Sequence, residues 1–325
     1  MREKENMRYI NLKATDLKVS NVIMGTDSLG TYVDEKTSYD LLDFYSSKGG
    51  NVIDTAECYA HWFENGRHKS EETIGKWMKD RQNRNKTIIS TKGGFYLVGE
   101  KPRLTEEDIM SDLEGSLKNL CTDYIDIYWL HRDAPSMSVE GIMDTLAKAV
   151  KQGKVRYIGV SNWTYKRIDE ANRYAETMGY PLLIASQIQY SPAFPNVENN
   201  EPDLVLMNDS EYEYFKNHDM TVFAFAAQAK GFFSKYLGGG EAALSPKAYS
   251  RYLNPETVKR FDNLNEIRKK YDCSIGAAVI AAITNNYDFD TLPIIGCKNI
   301  SQLKDSLSGA DLVFTREEID FIFNR

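Results

Sequence analysis

Eight times along the chain, a short run rich in β-branched and aromatic residues leads through a loop into a segment with helical spacing of its apolar residues. The runs are Val22–Met24, Val52–Asp54, Thr87–Thr91, Tyr124–Leu130, Val155–Val160, Leu182–Ser186, Thr221–Ala224 and Leu292–Ile295. The helices that follow them are expected to begin near Thr37, Ser70, Thr105, Val139, Tyr165, Ser210, Pro255 and Ile300. Ser70 reads as the N-cap of the second, and Thr105-Glu106-Glu107-Asp108 as a capping-box-like start of the third. Strands separated by helices run parallel, because the connection crosses back over the sheet. Eight such units imply an α/β fold, a closed (β/α)8 TIM barrel, which takes about 250 residues before insertions.

The 325 residues then form a single barrel domain, 1–325, with an N-terminal β-hairpin around 8–12 and 17–19. A long irregular loop is expected from Ala229 to Leu253, and a last helix from near Thr315. A doubly wound open sheet fits less well. No G-x-G-x-x-G turn follows any run, and Gly238-Gly239-Gly240 lies inside the long loop.

A net charge of −7 argues against nucleic acid or an anionic membrane as the main partner. Cys58, Cys121, Cys273 and Cys297 form no CxxC pair, which fits free thiols in a reducing compartment. The charged start Met1–Asn6 has no apolar core of a leader peptide. The longest apolar stretch, Ile275–Ile283, falls short of the ~20 residues that span a bilayer. A cytoplasmic protein is expected. No sequence feature marks an oligomeric state.

In a barrel of this kind, reactive groups sit just beyond the carboxyl ends of the strands. Asp54 and Tyr59 follow the second run, Lys92 the third and His131 the fourth. Ser161 and Asn162 follow the fifth, Gln187 the sixth, and Lys298 the eighth, while Phe225 ends the seventh. Each has an ordinary reading when taken singly: Asp54 as a loop cap, Tyr59 as one of 20 tyrosines, Lys92 as a solvated cation, His131 as a structural histidine. Their joint occurrence at one rim is what those separate readings do not explain.

The order Asp54-Thr55-Ala56-x-x-Tyr59, Ser90-Thr91-Lys92, Leu130-His131-Arg132, Gly159-Val160-Ser161-Asn162 and Gln187 resembles that of the aldo-keto reductases, end to end from Val19 to Gly296. The residues also carry a mechanism of their own. A free tyrosine, with a pKa of about 10, is a slow proton donor near neutrality. An ammonium within about 4–6 Å stabilises the phenolate. Lys92 is expected to be that ammonium, paired with Asp54, so that Tyr59 acts as general acid in carbonyl reduction and as base in the reverse direction. His131 is expected to hydrogen-bond the carbonyl oxygen.

None of these groups carries a hydride, so a redox cofactor is required. The resemblance implies NADP(H), with NAD(H) as the other option, lying across the barrel mouth. It implies that Ser161, Asn162 and Gln187 bond the carboxamide and that Phe225 stacks on the ring. Lys298 would face the 2′-phosphate, with Asn299 and Gln302 nearby and Asp305 towards the adenine. The Ala229–Leu253 loop would fold over the cofactor. The chain departs from the family pattern at Phe225-Ala226-Ala227-Gln228, where Tyr-Ser-Pro-Leu is usual, and at Lys298, where arginine is common. Asp305-Ser306 also replaces a usual Glu-Asn.

Trp62 and Trp163 are expected to wall a pocket for a small carbonyl substrate, a generic aldehyde or, with His61 and Glu64 beside them, a sugar-like one. Two other function classes were weighed. Potassium-channel β subunits, which are relatives, keep fold and cofactor but serve largely as regulatory partners. A metal-dependent barrel hydrolase would use Cys58, His61, His68 and His131, but their spacing matches no metal motif. No metal is therefore expected.

Overall fold

The computed structural model describes residues 7–218 and 220–325, and the Met1–Asn6 start lies outside the described residues. The chain opens with β1 (Tyr9–Asn11) and β2 (Lys18–Ser20), an antiparallel hairpin in register Ile10 to Val19. The barrel follows: β3 (Ile23–Gly25), β4 (Val52–Asp54), β5 (Ile88–Gly93), β6 (Ile125–Leu130), β7 (Val155–Ser161), β8 (Leu183–Gln189), β9 (Thr221–Phe225) and β10 (Thr291–Gly296). All pair in parallel in chain order, and β10 also pairs with β3, so the sheet closes.

Helices α1 (Glu35–Ser47), α2 (Lys69–Arg81), α3 (Glu106–Asn119), α4 (Val139–Lys151), α5 (Tyr165–Met178) and α6 (Asp209–Asn217) each join one strand to the next. After β9 come α7 (Phe232–Gly239), α8 (Pro246–Tyr252), α9 (Pro255–Lys270) and α10 (Ile275–Thr284). After β10 come α11 (Ile300–Leu307) and α12 (Arg316–Phe323).

The pleat divides the apolar residues into two separate bodies. Ile23, Val52, Ile127, Trp129, Ala185, Phe223 and Leu292 point inward and pack with Leu12, Leu17 and Val19 of the hairpin. Their neighbours Ile53, Ile89, Tyr128, Leu130, Ile158 and Val160 point outward into the layer beneath the helices. The hairpin sits at the amino ends of the strands, where Asn51 bonds Ser20 N at 2.8 Å and the Lys18 carbonyl at 2.8 Å. Above it, Trp129 and Phe223 meet edge to face at 4.9 Å. Gly159 of β7 is required here, because a Cβ on it would sit 2.5 Å from the Trp129 ring. One end of the barrel is thus filled with hydrocarbon, and the polar groups are left at the other.

Two local expectations are corrected, and a third stretch gains an element. Ser70 is not the N-cap of α2; that place falls to His68, in a left-handed conformation with no side-chain cap bond. The Ser70 hydroxyl turns inward instead and donates to the Thr26 carbonyl at 2.8 Å, tying α2 to the β3 loop. The Ala229–Leu253 segment is helical rather than irregular, consisting of α7, α8 and two 3-10 turns. Its glycines and short amphipathic stretches hide that pattern. The stretch Ile275–Ile283, seen in the sequence only as an apolar run, is α10, with every residue buried. A helix covered on all sides has no polar face to give it a period. No helix among the described residues is long and apolar enough to cross a membrane.

The outer face of β5 is clamped by a buried carboxylate. Glu71 of α2 accepts from Thr91 Oγ1 at 2.6 Å and from Asn119 Nδ2 of α3 at 3.0 Å. Burial pushes this carboxyl up to about 7, against the pull of the Thr91, Asn119 and Ser116 contacts. Its folded pKa lies above the unfolded one, so the folded state binds the proton more tightly. Its contribution to stability therefore falls as pH rises from about 4.5 to 7. In Glu71→Gln this slope should vanish: melting temperature should decline less between pH 5 and pH 7.5 than in the parent chain. Parallel melting curves across that window would refute the assignment.

Candidate active site

At the carboxyl end of the barrel, β4 ends on Asp54 and β5 carries Lys92 one residue before its own end. Both side chains are fully buried. Lys92 Nζ lies 2.6 Å from Asp54 Oδ2, 2.7 Å from the Thr55 carbonyl oxygen and 2.8 Å from the Tyr59 hydroxyl. Three ammonium hydrogens thus meet three acceptors. Asp54 Oδ1 accepts from Ser90 Oγ at 2.9 Å and from Gln187 Nε2 at 3.1 Å. Trp129 of the inner core donates to Ser90 Oγ at 2.7 Å, so the hydrocarbon layer anchors the polar one.

Tyr59 is half-buried on the loop after β4, its hydroxyl accepting from Lys92 and standing 3.5 Å from Asp54 Oδ2. Burial, and then the Asp54 charge, hold its pKa well above the ordinary tyrosine range. Desolvation and the neighbouring carboxylates outweigh the opposing Arg132 charge. The group is a fully protonated donor whose oxygen is already bonded by Lys92. Loss of its proton creates a phenolate against an ammonium at 2.8 Å.

His131 directly follows β6 and is buried. Burial, with Arg132, Lys92 and His61 nearby, holds its pKa well below the usual histidine range, so the ring is neutral. Its Nδ1 lies 3.4 Å from Cys58 Sγ, and its centroid is 6.0 Å from that of Tyr59. An aromatic chain runs outward from it: Phe95 at 5.3 Å, then His61 at 5.0 Å from Phe95, then Trp62 at 5.1 Å from His61. Trp62 is half exposed. Trp163 does not join this wall. It has no exposure, packs in the outer core and donates its indole N–H to the Arg132 carbonyl at 3.2 Å. As a pocket residue it is corrected: its place after β7 turns it away from the mouth, into the layer under α5.

The residues expected to hold a nicotinamide nucleotide are adjacent at the rim. Ser161 and Gln187 pair across β7 and β8, and Phe225 closes β9, half-buried, opposite Gln189. Asn162 takes a left-handed backbone, φ 59°. Its Nδ2 donates to the His131 carbonyl at 3.3 Å and to Ser161 Oγ at 3.1 Å, and its Oδ1 accepts from Val205 N at 3.2 Å. Gln187 therefore braces the Asp54 carboxylate and Asn162 the backbone of His131, which their order in the sequence did not reveal.

Lys298 is exposed, its Nζ 5.5 Å from the Tyr32 ring centroid. Asn299 caps α11 by accepting from Gln302 N at 3.0 Å, and Gln302 Oε1 accepts from Lys298 N at 2.9 Å. A cation at a helix start with free N–H groups suits a phosphate. Asp305 is half-buried beside Gly276 of α10, where a Cβ would fall 2.4 Å from its Oδ2. Ser306 accepts from Gln228 Nε2 at 3.0 Å, tying the β9 loop to α11. In that loop Ala226, Ala229 and Lys230 all have positive φ, a concentration of backbone strain beside the mouth. An aromatic ring, amides and a cation at a helix start are a donor set that fits a nicotinamide nucleotide, which when bound supplies the hydride.

Among the described residues, no three His, Cys, Asp or Glu side chains are placed to hold a metal ion. In the would-be metal set, His61 Nδ1 is engaged by the Cys58 carbonyl, and His68 lies 3.3 Å from Glu57, which also grips Arg67. Sequence reasoning missed Ser90 as a support of Asp54, although two residues before Lys92 on a strand is the same face. It also missed Phe95, whose alignment with His131 and His61 no spacing announces.

Comparison with known proteins agrees with this geometry. The model of the Aldo/keto reductase family matches residues 21–323. The aryl-alcohol dehydrogenase [NADP(+)] of Phanerodontia chrysosporium is 26% identical over 94% of this chain and 82% of its own. The norsolorinic acid reductase of Aspergillus flavus is 27% identical over 93% of this chain and 76% of its own. The uncharacterized oxidoreductase YrpG of Bacillus subtilis is 29% identical over 96% and 93%. The chain belongs to the aldo/keto reductase family and is an NAD(P)H-dependent oxidoreductase.

Proposed function

We propose that the protein is an NADPH-dependent carbonyl reductase that converts an aldehyde or ketone to the alcohol, with Tyr59 as the general acid. The observation that carries this reading is the buried Lys92 ammonium, 2.6 Å from Asp54 and 2.8 Å from the Tyr59 hydroxyl. Lys92 donates to the phenol oxygen, which leaves the phenol hydrogen for the substrate oxygen. Neutral His131 supplies a second donor to that oxygen as negative charge develops on it. In oxidation of an alcohol the same groups run in reverse.

For the cofactor, Ser161, Asn162 and Gln187 serve the carboxamide, Phe225 the ring, Lys298 the 2′-phosphate, and Asn299, Gln302 and Asp305 the neighbouring end. The α7–α8 segment covers it. NADPH is preferred to NADH through Lys298, and the NADP(+) in the name of the fungal relative supports that preference. Free cysteines support a cytoplasmic location.

The substrate class is a carbonyl on an aromatic or other flat apolar group. Phe95, His61 and Trp62 offer ring surface outward from His131, and the aryl-alcohol dehydrogenase is named for such an alcohol. A sugar-like carbonyl has less support. His61 is packed between rings with its Nδ1 engaged by Cys58, and Glu64 points to solvent.

Tyr59→Phe should lower kcat for benzaldehyde by about 10²–10⁴-fold while leaving NADPH binding intact. An undiminished kcat would sink the mechanism, and bound NADPH without turnover on any of a broad carbonyl panel would favour a regulatory role. Trp62→Ala should raise KM for 2-naphthaldehyde about three- to tenfold and leave propionaldehyde unaffected; equal effects on both would count against the aromatic wall. Lys298→Ala should raise KM for NADPH about tenfold or more, with little change for NADH. A parallel rise for both nucleotides would remove Lys298 from the phosphate site.

A further inference from the structure

A thiol stands within hydrogen-bond reach of His131 Nδ1. Cys58 lies between the two ends of the reacting set, one residue before Tyr59, and is buried. Its Sγ is 3.4 Å from His131 Nδ1. Its carbonyl oxygen, which can only accept, is 3.1 Å from His61 Nδ1 and 3.0 Å from His61 N. Cys58 therefore touches two of the four histidines of the chain through different atoms.

A neutral imidazole has one donor and one acceptor nitrogen, and whatever one nitrogen bonds decides what the other can offer. Burial, with the Glu57 charge, pushes the Cys58 thiol up to about 12 against the opposing pull of Lys92, Arg132 and Arg67, so it keeps its hydrogen. A protonated thiol is a weak donor and a weaker acceptor, while an imidazole lone pair is a strong acceptor. The favoured bond is S–H to Nδ1, and the ring hydrogen then resides on Nε2.

We infer that Cys58 is a positioning residue that donates its S–H to His131 Nδ1 and so fixes the tautomer whose Nε2–H is offered to the carbonyl oxygen. Its carbonyl fixes His61 in the opposite tautomer, with Nδ1 carrying the hydrogen. The inference rests on the reading of His131 as a donor to substrate. It gives a role to a buried free thiol that the carbonyl-reduction reading had left without one.

The test uses the full chain loaded with NADPH and labelled with ¹⁵N-histidine, His131 being assigned by the signals lost in His131→Asn. The parent chain should show His131 protonated at Nε2 and bare at Nδ1. Cys58→Ser should keep that pattern, and Cys58→Ala should show exchange with the other tautomer. In parallel, Cys58→Ala should lower kcat for benzaldehyde about three- to tenfold with KM for NADPH unchanged, and Cys58→Ser should restore it to within about twofold. A proton on His131 Nδ1 in the parent chain overturns the inference, as does a Cys58→Ala protein with both spectrum and kcat unaltered. The spectra read the tautomer whether or not benzaldehyde is turned over. A failure of the carbonyl-reductase reading is thus distinguishable from a failure of this one.

Discussion

The ion pair between Lys92 and Asp54 is the constraint on which the mouth of the barrel depends. Taking two charges out of water costs several kcal/mol per ion after relaxation, and attraction offsets that only when the remaining donors and acceptors are also met. Here they are met in full. The ammonium has Asp54, the Thr55 carbonyl and Tyr59 as acceptors, and the second carboxylate oxygen takes Ser90 and Gln187. These five come from three stretches: β4 and its loop, β5, and β8. Satisfying one buried pair therefore fixes the relative placement of the loop after β4 and the ends of strands on both sides of the barrel. The phenol is held because the lysine needs a third acceptor.

The barrel makes this arrangement cheap to build. Inward residues alternate with outward ones, so a strand that packs Ile127 and Trp129 inside brings His131 to the rim on the same side. In β5 the same period places Ser90 and then Lys92 inside, directly above the hydrocarbon layer. Trp129 joins the layers, its ring packed on Phe223 and its N–H on Ser90. The hairpin closes the opposite end, which leaves water only one way in. Outside the barrel, Glu71 holds Thr91, the residue between Ser90 and Lys92, from the helix layer. The strand bearing the ammonium is thus fixed from both faces.

The chain's own order made much of this legible. The eight runs and their helices appear because strands buried on both faces read as short apolar stretches and surface helices as periodic ones. The reacting four are legible because strand ends in such a barrel share one rim, so Asp54, Lys92 and His131 converge although they lie far apart in sequence. What was not legible depends on rotation or complete burial. α10 has no polar face, and α7 and α8 are too short and glycine-rich to announce themselves. Trp163 follows Asn162 at the rim, but the left-handed turn at Asn162 sends the next side chain inward to the core. The amides of Gln187 and Asn162 brace Asp54 and the His131 carbonyl, a choice of rotamer that spacing does not encode.

The electrostatics of the finished site follow from burial acting differently on each group. Desolvation disfavours the charged form of a buried group, raising an acid and lowering a base. Lys92 and Asp54 stand 2.6 Å apart as an ion pair. At Tyr59 burial and the Asp54 charge keep the phenol protonated, and at His131 burial keeps the imidazole unprotonated. The result is a dry mouth with one compensated ion pair and two neutral hydrogen-bond donors. Such a site stabilises a carbonyl oxygen only weakly while it is neutral, and much more as it becomes an oxyanion, when both donors face charge in a poorly screening medium. The phenolate left by proton transfer is then stabilised by an ammonium that was in place beforehand. Burial, by raising the phenol and neutralising the imidazole, reserves the effect of Lys92 for the moment after the proton has moved.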